Sequence, residues 1–145
     1  MTEVMLSDIF TAEELAGGAE VMSQFANAKT LNASFTVGSV PVSSLGLIRA
    51  PWANAGGCSV LDHYEEAASN RDALIVGARR RHFDETFVVV LMNEFLIDGY
   101  HHVIAAKYSG MPVRAIDLWD ALDTQDNPPG RRLVEPLSAE SSPEP

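Results

Sequence analysis

The run Thr86-Phe87-Val88-Val89-Val90-Leu91-Met92 constrains this chain more than any other stretch. It is apolar or β-branched throughout and carries no polar helical face, so it reads as a strand. Asn93-Glu94 then separates it from Phe95-Leu96-Ile97, which predicts a tight hairpin, and Asp98-Gly99 ends the second strand. From His101 onward Val103, Ile104, Ala106 and Lys107 follow a helix-compatible pattern with Gly110 as its stop, and Pro112 to Leu118 reads as a final strand.

Around this unit the chain is 145 residues long and 46% hydrophobic, enough for one compact domain. Phe35 to Val42 is a short β-branched run closed by a Ser-Ser-Leu-Gly turn, and Arg49-Ala50-Pro51-Trp52 leads into a flexible segment, Asn54 to Gly57. Ser59 with Asp62 three residues later opens a helix through Ala68. Asn70 is expected to break it before the apolar stretch Ala73 to Val76, leaving Arg79-Arg80-Arg81 in a polar connection. Upstream, Thr11 and Glu14 have capping-box spacing, and Leu15, Ala19, Met22 and Ala26 predict a helix over 11–26. The organisation expected is therefore a helical extension over 1–34, an α/β domain over 35–122 with a small mixed sheet and packed helices, and a disordered acidic tail over 123–145. The tail assignment rests on its Pro/Ser/Glu composition, which offers little apolar area against the entropy of ordering.

The formal net charge is −10, so a whole-surface field that gathers a nucleic-acid backbone is missing and plain duplex DNA is not an expected partner. Cys58 is the only cysteine and no Cys/His set has zinc-site spacing. Glu3 and Asp8 stand where a signal peptide carries positive charge, and no apolar run approaches membrane-spanning length. These features predict a cytoplasmic protein with no membrane association.

The chemistry concentrates in the stretch Asp98-Gly99-Tyr100-His101-His102, placed between a strand and a helix. A glycine there lets backbone amides approach an anion, and the unpaired amides of the helix start carry partial positive charge. With the alanines that follow, this stretch resembles the ParB/sulfiredoxin-like superfamily, in which a strand ends in Asp-Gly or Gly-Gly and a His-Arg or Arg-Arg pair opens a helix. Val40-Pro41-Val42-Ser43-Ser44-Leu45 is similar to that family's first strand and turn, and Leu47-Ile48-Arg49-Ala50-Pro51 to the arginine-proline loop of sulfiredoxins. The likeness spans residues 36 to 119. It implies a nucleotide- or phosphate-binding domain, with Gly99, Tyr100, His101, His102 and Arg49 around the ligand and Asp98 as the catalytic or magnesium-side carboxylate. The implied cofactor is ATP, ADP or CTP with magnesium, and any enzymatic activity is nucleotide-dependent phosphoryl transfer or hydrolysis.

The chain departs from the family at two places. His102 replaces the usual arginine and cannot form a bidentate fork to phosphate. Tyr100 stands where sulfiredoxins carry their reactive cysteine, while Cys58 falls far off in a glycine loop, so sulfinic-acid reduction is not expected. Partition proteins usually add a helix-turn-helix module after this domain; the residues beyond 122 are not expected to hold one, so a complete partition protein is not expected.

Plainer readings stand beside these. His101 and His102 also read as one packed and one solvated helix-start residue, with ligand binding the favoured reading, and Asp98 as a helix cap or turn residue. Arg79, Arg80 and Arg81 read as a solvated loop unless that loop faces the 98–102 opening. Trp52 and Trp119 read as packing residues, Cys58 as a bystander, and Glu65 and Glu66 as a wet helix face. The alternative function is a non-catalytic interaction protein that keeps the fold, has a decayed nucleotide site, and meets a basic protein partner through its acidic surface.

Overall fold

The computed structural model describes residues 3–11, 13–14, 17, 28–50, 58–121 and 130–137. Strand β1 (Glu3–Met5), a one-turn helix α1 (Ala28–Leu31) and strand β2 (Ser34–Thr36) come first, β1 and β2 forming a two-stranded antiparallel sheet. Then follow β3 (Gly38–Val40), a second one-turn helix α2 (Val42–Leu45), β4 (Arg49–Ala50), β5 (Cys58–Ser59), α3 (Val60–Ala67) and α4 (Asn70–Arg81). The hairpin β6 (Val88–Met92) and β7 (Phe95–Asp98) leads through α5 (Tyr100–Ser109) to β8 (Val113–Asp117) and β9 (Glu135–Pro136). Seven strands make one mixed sheet in the order β5-β4-β7-β6-β8-β3-β9. The fold is a small α/β domain, as the sequence predicts.

The apolar run is the centre of that sheet because it buries both its faces. Val89 and Leu91 pack with Val60 of α3, Val76 of α4 and Val103 to Ala106 of α5, while Val90 and Met92 pack on the other face with Leu6, Phe35 and Val37. A strand covered on both sides needs no polar alternation, which is why its sequence has none. It runs antiparallel to β7 and parallel to β8, with Val90 opposite Ile116. Asn93 supplies the left-handed residue of the hairpin turn at φ 55°, a conformation asparagine tolerates well.

Several expectations are corrected. The Phe35–Val42 run is two strands rather than one, and the Ser-Ser-Leu-Gly turn belongs to α2, whose Leu45 is buried. The break after α3 falls at Ala68-Ser69, where both residues are extended, and Asn70 opens α4. Ser69 accepts a hydrogen bond from the Asp72 amide just as Ser59 does from Asp62, so the same Ser-x-x-Asp cap starts both helices. The three arginines consequently lie in the last turn of α4, where cations complement the helix dipole, and not in a loop.

Part of the expected tail is a component of the sheet. β9 pairs antiparallel with β3, Leu133 and Val134 are buried in the main core, and Pro112–Leu118 is not the final strand. The apolar pair Leu133-Val134 was hidden by the polar composition around it. Thr11 and Glu14 do form the reciprocal cap, but the remainder of the 11–26 helix lies outside the described residues. So do Pro51 to Gly57, Trp52 among them, and the tail segments 122–129 and 138–145.

Gly38 is required where β9 crosses β3: a Cβ there would fall onto the Glu135 carbonyl and the Val134 side chain. Gly38→Ala is expected to cost about 2 kcal/mol by overpacking. Chemical denaturation measures it, and a loss below about 0.5 kcal/mol, the range of neutral surface changes, would refute this close contact.

Candidate functional site

The Asp-Gly step at the end of β7 produces the site. Gly99 adopts φ 110°, a left-handed conformation that a side chain strains, and its α-carbon faces Val89, whose Cγ2 would sit 3.1 Å from an added Cβ. The turn delivers the chain directly into α5, and no side chain caps that helix start. Asp98 is therefore not the cap; Gly99 occupies the cap position. This helix start borders a cavity of about 270 Å³ lined by residues 96–102 together with Phe87 and Arg79. Asp98, Gly99, Tyr100, His101 and His102, singled out in the sequence, are thus brought together.

The two histidines differ sharply. His102 is only 2% exposed, its ring stacked between Phe83 and Phe87 with centroids 4.5 Å away on each side. Burial, reinforced by the Arg79 guanidinium, holds its pKa down at about 4, against a weaker opposing effect of Asp84. The imidazole is neutral at pH 7, and its Nε2 is buried with no hydrogen-bond partner among the described residues. His101 is part-exposed, with Nε2 3.3 Å from Asp72 Oδ1 at the start of α4. One histidine is core and the other lies at the rim.

Asp98 is half-buried, and burial, followed by the nearby Glu14 carboxylate, pushes its carboxyl above the usual aspartate range. It stays closer to its neutral, hydrogen-bond-donating form than a solvated carboxylate does. Tyr100 packs against His63, Tyr64 and His101, and burial pushes its phenol up to about 12, with smaller contributions from Asp72, Tyr64 and Cys58. Cys58 thus stands near Tyr100, correcting the expectation that it falls far from the motif. Its spacing in sequence hid the proximity, because β5 returns alongside β4.

Arg49 is not among the residues lining the cavity. It pairs with Phe95, at the hairpin end of β7, and its Nε lies 3.6 Å from Glu94 Oε2. Arg79, read as a loop residue, does line it. A signal was available: Asp72, Val76 and Arg79 have the i, i+4, i+7 spacing of one helical face. Reading Arg79-Arg80-Arg81 as a polar connection concealed it.

Of the remaining residues, Trp119 packs beside the second core cluster, Glu66 is exposed, and Glu65 accepts a 3.3 Å hydrogen bond from Tyr108. At the hairpin end, buried Asp117 accepts from the Asn93 and Trp119 amides at 3.0 and 2.9 Å, and Arg132 grips Asp120 at 2.6 Å with Asp117 3.5 Å away. This cluster ties the 130–137 segment to the end of β8.

Among the described residues no group of three or more His, Cys, Asp or Glu is placed to hold a metal ion, and no helix is long and apolar enough to cross a membrane. No family model matches the chain, and no curated protein or solved structure matches it significantly.

Proposed function

We propose that the cavity at the start of α5 binds a phosphate-bearing ligand, of the nucleotide class implied by the resemblance to ParB/sulfiredoxin-like domains. The observation that carries this reading is the uncapped start of a ten-residue helix, entered through the left-handed Gly99, bordering a cavity that also has Arg79 in its wall. Unpaired amides at a helix start favour an anion through both hydrogen bonding and the helix dipole. His101, oriented by Asp72, is a hydrogen-bonding group at the rim, and Asp98 is the cavity's carboxyl.

Magnesium usually binds through one or two carboxylates plus ligand phosphates, so Asp98 with a bound phosphate is a compatible donor set. There it would neutralise phosphate charge. Any catalysis would be phosphoryl transfer or hydrolysis, with Asp98 or His101 moving the proton. The lone free Cys58 and this ligand class fit a cytoplasmic setting.

A second reading, a retained fold serving as an interaction module for a basic protein, is favoured by His102, which is a neutral core residue where the family carries arginine. Calorimetry with inorganic phosphate, AMP, ADP, ATP and CTP, with and without magnesium, separates the two. Saturable binding of at least one is expected. If none binds at ligand concentrations of about 1 mM, the affinity is weaker than about −4 kcal/mol, and the interaction reading replaces the first.

A further inference from the structure

We infer that Arg79, from the last turn of α4, is the cation that holds the phosphate in this cavity, and that it limits the ligand to one carrying a single phosphate. This rests on the reading of the site as a phosphate pocket. The helix start alone would not suffice, but His102 adds an independent sign of a ligand: it is almost fully buried in the wall of the same cavity, and its Nε2 lacks any partner among the described residues. A buried ring nitrogen left unpaired is costly, and a phosphate oxygen accepting from a neutral imidazole would relieve that cost.

Charge then decides what enters. His102 is the motif position where the resembled family carries arginine, and here it is neutral and clamped between two phenylalanines. Arg79 is the only arginine or lysine lining the cavity among the described residues, and its charge reaches His102 strongly enough to depress the ring's pKa. The positive charge has moved from the helix start to the neighbouring helix. The two arginines that follow it point elsewhere, Arg80 lying over the Tyr108 ring at 5.7 Å and both Arg80 and Arg81 lining a different groove.

One guanidinium and a set of helix amides match one phosphate group, which Arg can grip bidentately. A triphosphate brings several more negative charges toward Asp98, with Glu14 beside it, on a chain of net charge −10. The cavity, about 270 Å³, also lies below the usual range of about 300–1,000 Å³ for drug-sized ligands. A compact phosphomonoester, a mononucleotide at most, fits both limits.

The test titrates inorganic phosphate, AMP and magnesium-ATP into the parent and into Arg79→Gln, Arg79→Lys and Arg80→Gln, each checked for an unchanged far-UV spectrum and melting temperature. AMP is expected to bind more tightly than ATP, and Arg79→Gln to weaken AMP about ten- to hundredfold, the range of a charge-assisted hydrogen bond. Arg79→Lys should lose less, and Arg80→Gln should match the parent. If the parent binds AMP but Arg79→Gln binds it equally well, Arg79 is not the anchor, although the phosphate pocket stands. Tighter binding of ATP than of AMP overturns the single-phosphate limit. If the parent binds none of the three, the inference fails together with the function it rests on.

Discussion

A chain ending before Gly130 is expected to lose about 3–5 kcal/mol of stability, because it strips two aliphatic side chains from the core, each worth about 1.5–3 kcal/mol when fully buried. Leu133 and Val134 are each only 4% exposed and join the cluster that holds α3, α4 and α5 against the sheet. The same cut removes Arg132 from Asp117, a wholly buried carboxylate, and takes away the strand that covers the free edge of β3. For a domain of this size the shift in melting temperature should be about 10 °C. In the full-length chain, Leu133→Ser with Val134→Ser should reproduce most of it, since those two residues carry the burial. A truncated protein melting within about 2 °C of the parent would show that the segment contributes nothing to the core.

Acid is expected to weaken the fold through His102. Its ordinary pKa is 6.5 and its folded value about 4, so between those limits the unfolded chain takes up the proton more readily than the folded one. Above pH 6.5 there is no penalty. As pH falls toward 4 the penalty grows, reaching about 3 kcal/mol, and below that it is constant. Asp98 and Asp117 act in the opposite sense, because burial raises both carboxyls and protonation therefore favours the folded state as pH falls. The difference between parent and His102→Phe isolates the histidine: Phe keeps the stack between Phe83 and Phe87 and cannot be protonated. That difference should be small at pH 7.5 and widen to about 3 kcal/mol in favour of the variant near pH 4. A flat difference, or an NMR titration of His102 near 6.5 in the folded protein, would overturn its assignment as a neutral core residue.

His102 also shows why the site was only half legible. Asp98-Gly99 followed by a helix pattern predicts a glycine turn into a helix start from local chemistry, since a left-handed glycine and a helix start without a side-chain cap are properties of a few consecutive residues. Whether a histidine in that turn meets solvent or two phenylalanines depends on Phe83 and Phe87, which the hairpin's packing brings alongside. Arg79 reaches the site in the same way, across a helix pair. Arg49, expected at the site from the sequence, lies beside Glu94 at the other end of β7.

Local sequence determined those elements whose signal is contained within a few residues. The apolar run of β6, the Asn93-Glu94 hairpin, the Ser59 cap of α3 and the Gly110 end of α5 each depend on residues within one or two turns of each other. A further Ser-x-x-Asp cap at Ser69 was equally local, and Asn70 masked it. Tertiary structure alone decided that Leu133-Val134 leaves a polar segment to enter the core, that Gly38 must be bare beneath β9, and that the cavity draws its positive charge from α4. Each of these depends on surfaces distant in sequence meeting. Burial free energy scales with the area two such surfaces hide together, and no local window of residues contains both of them.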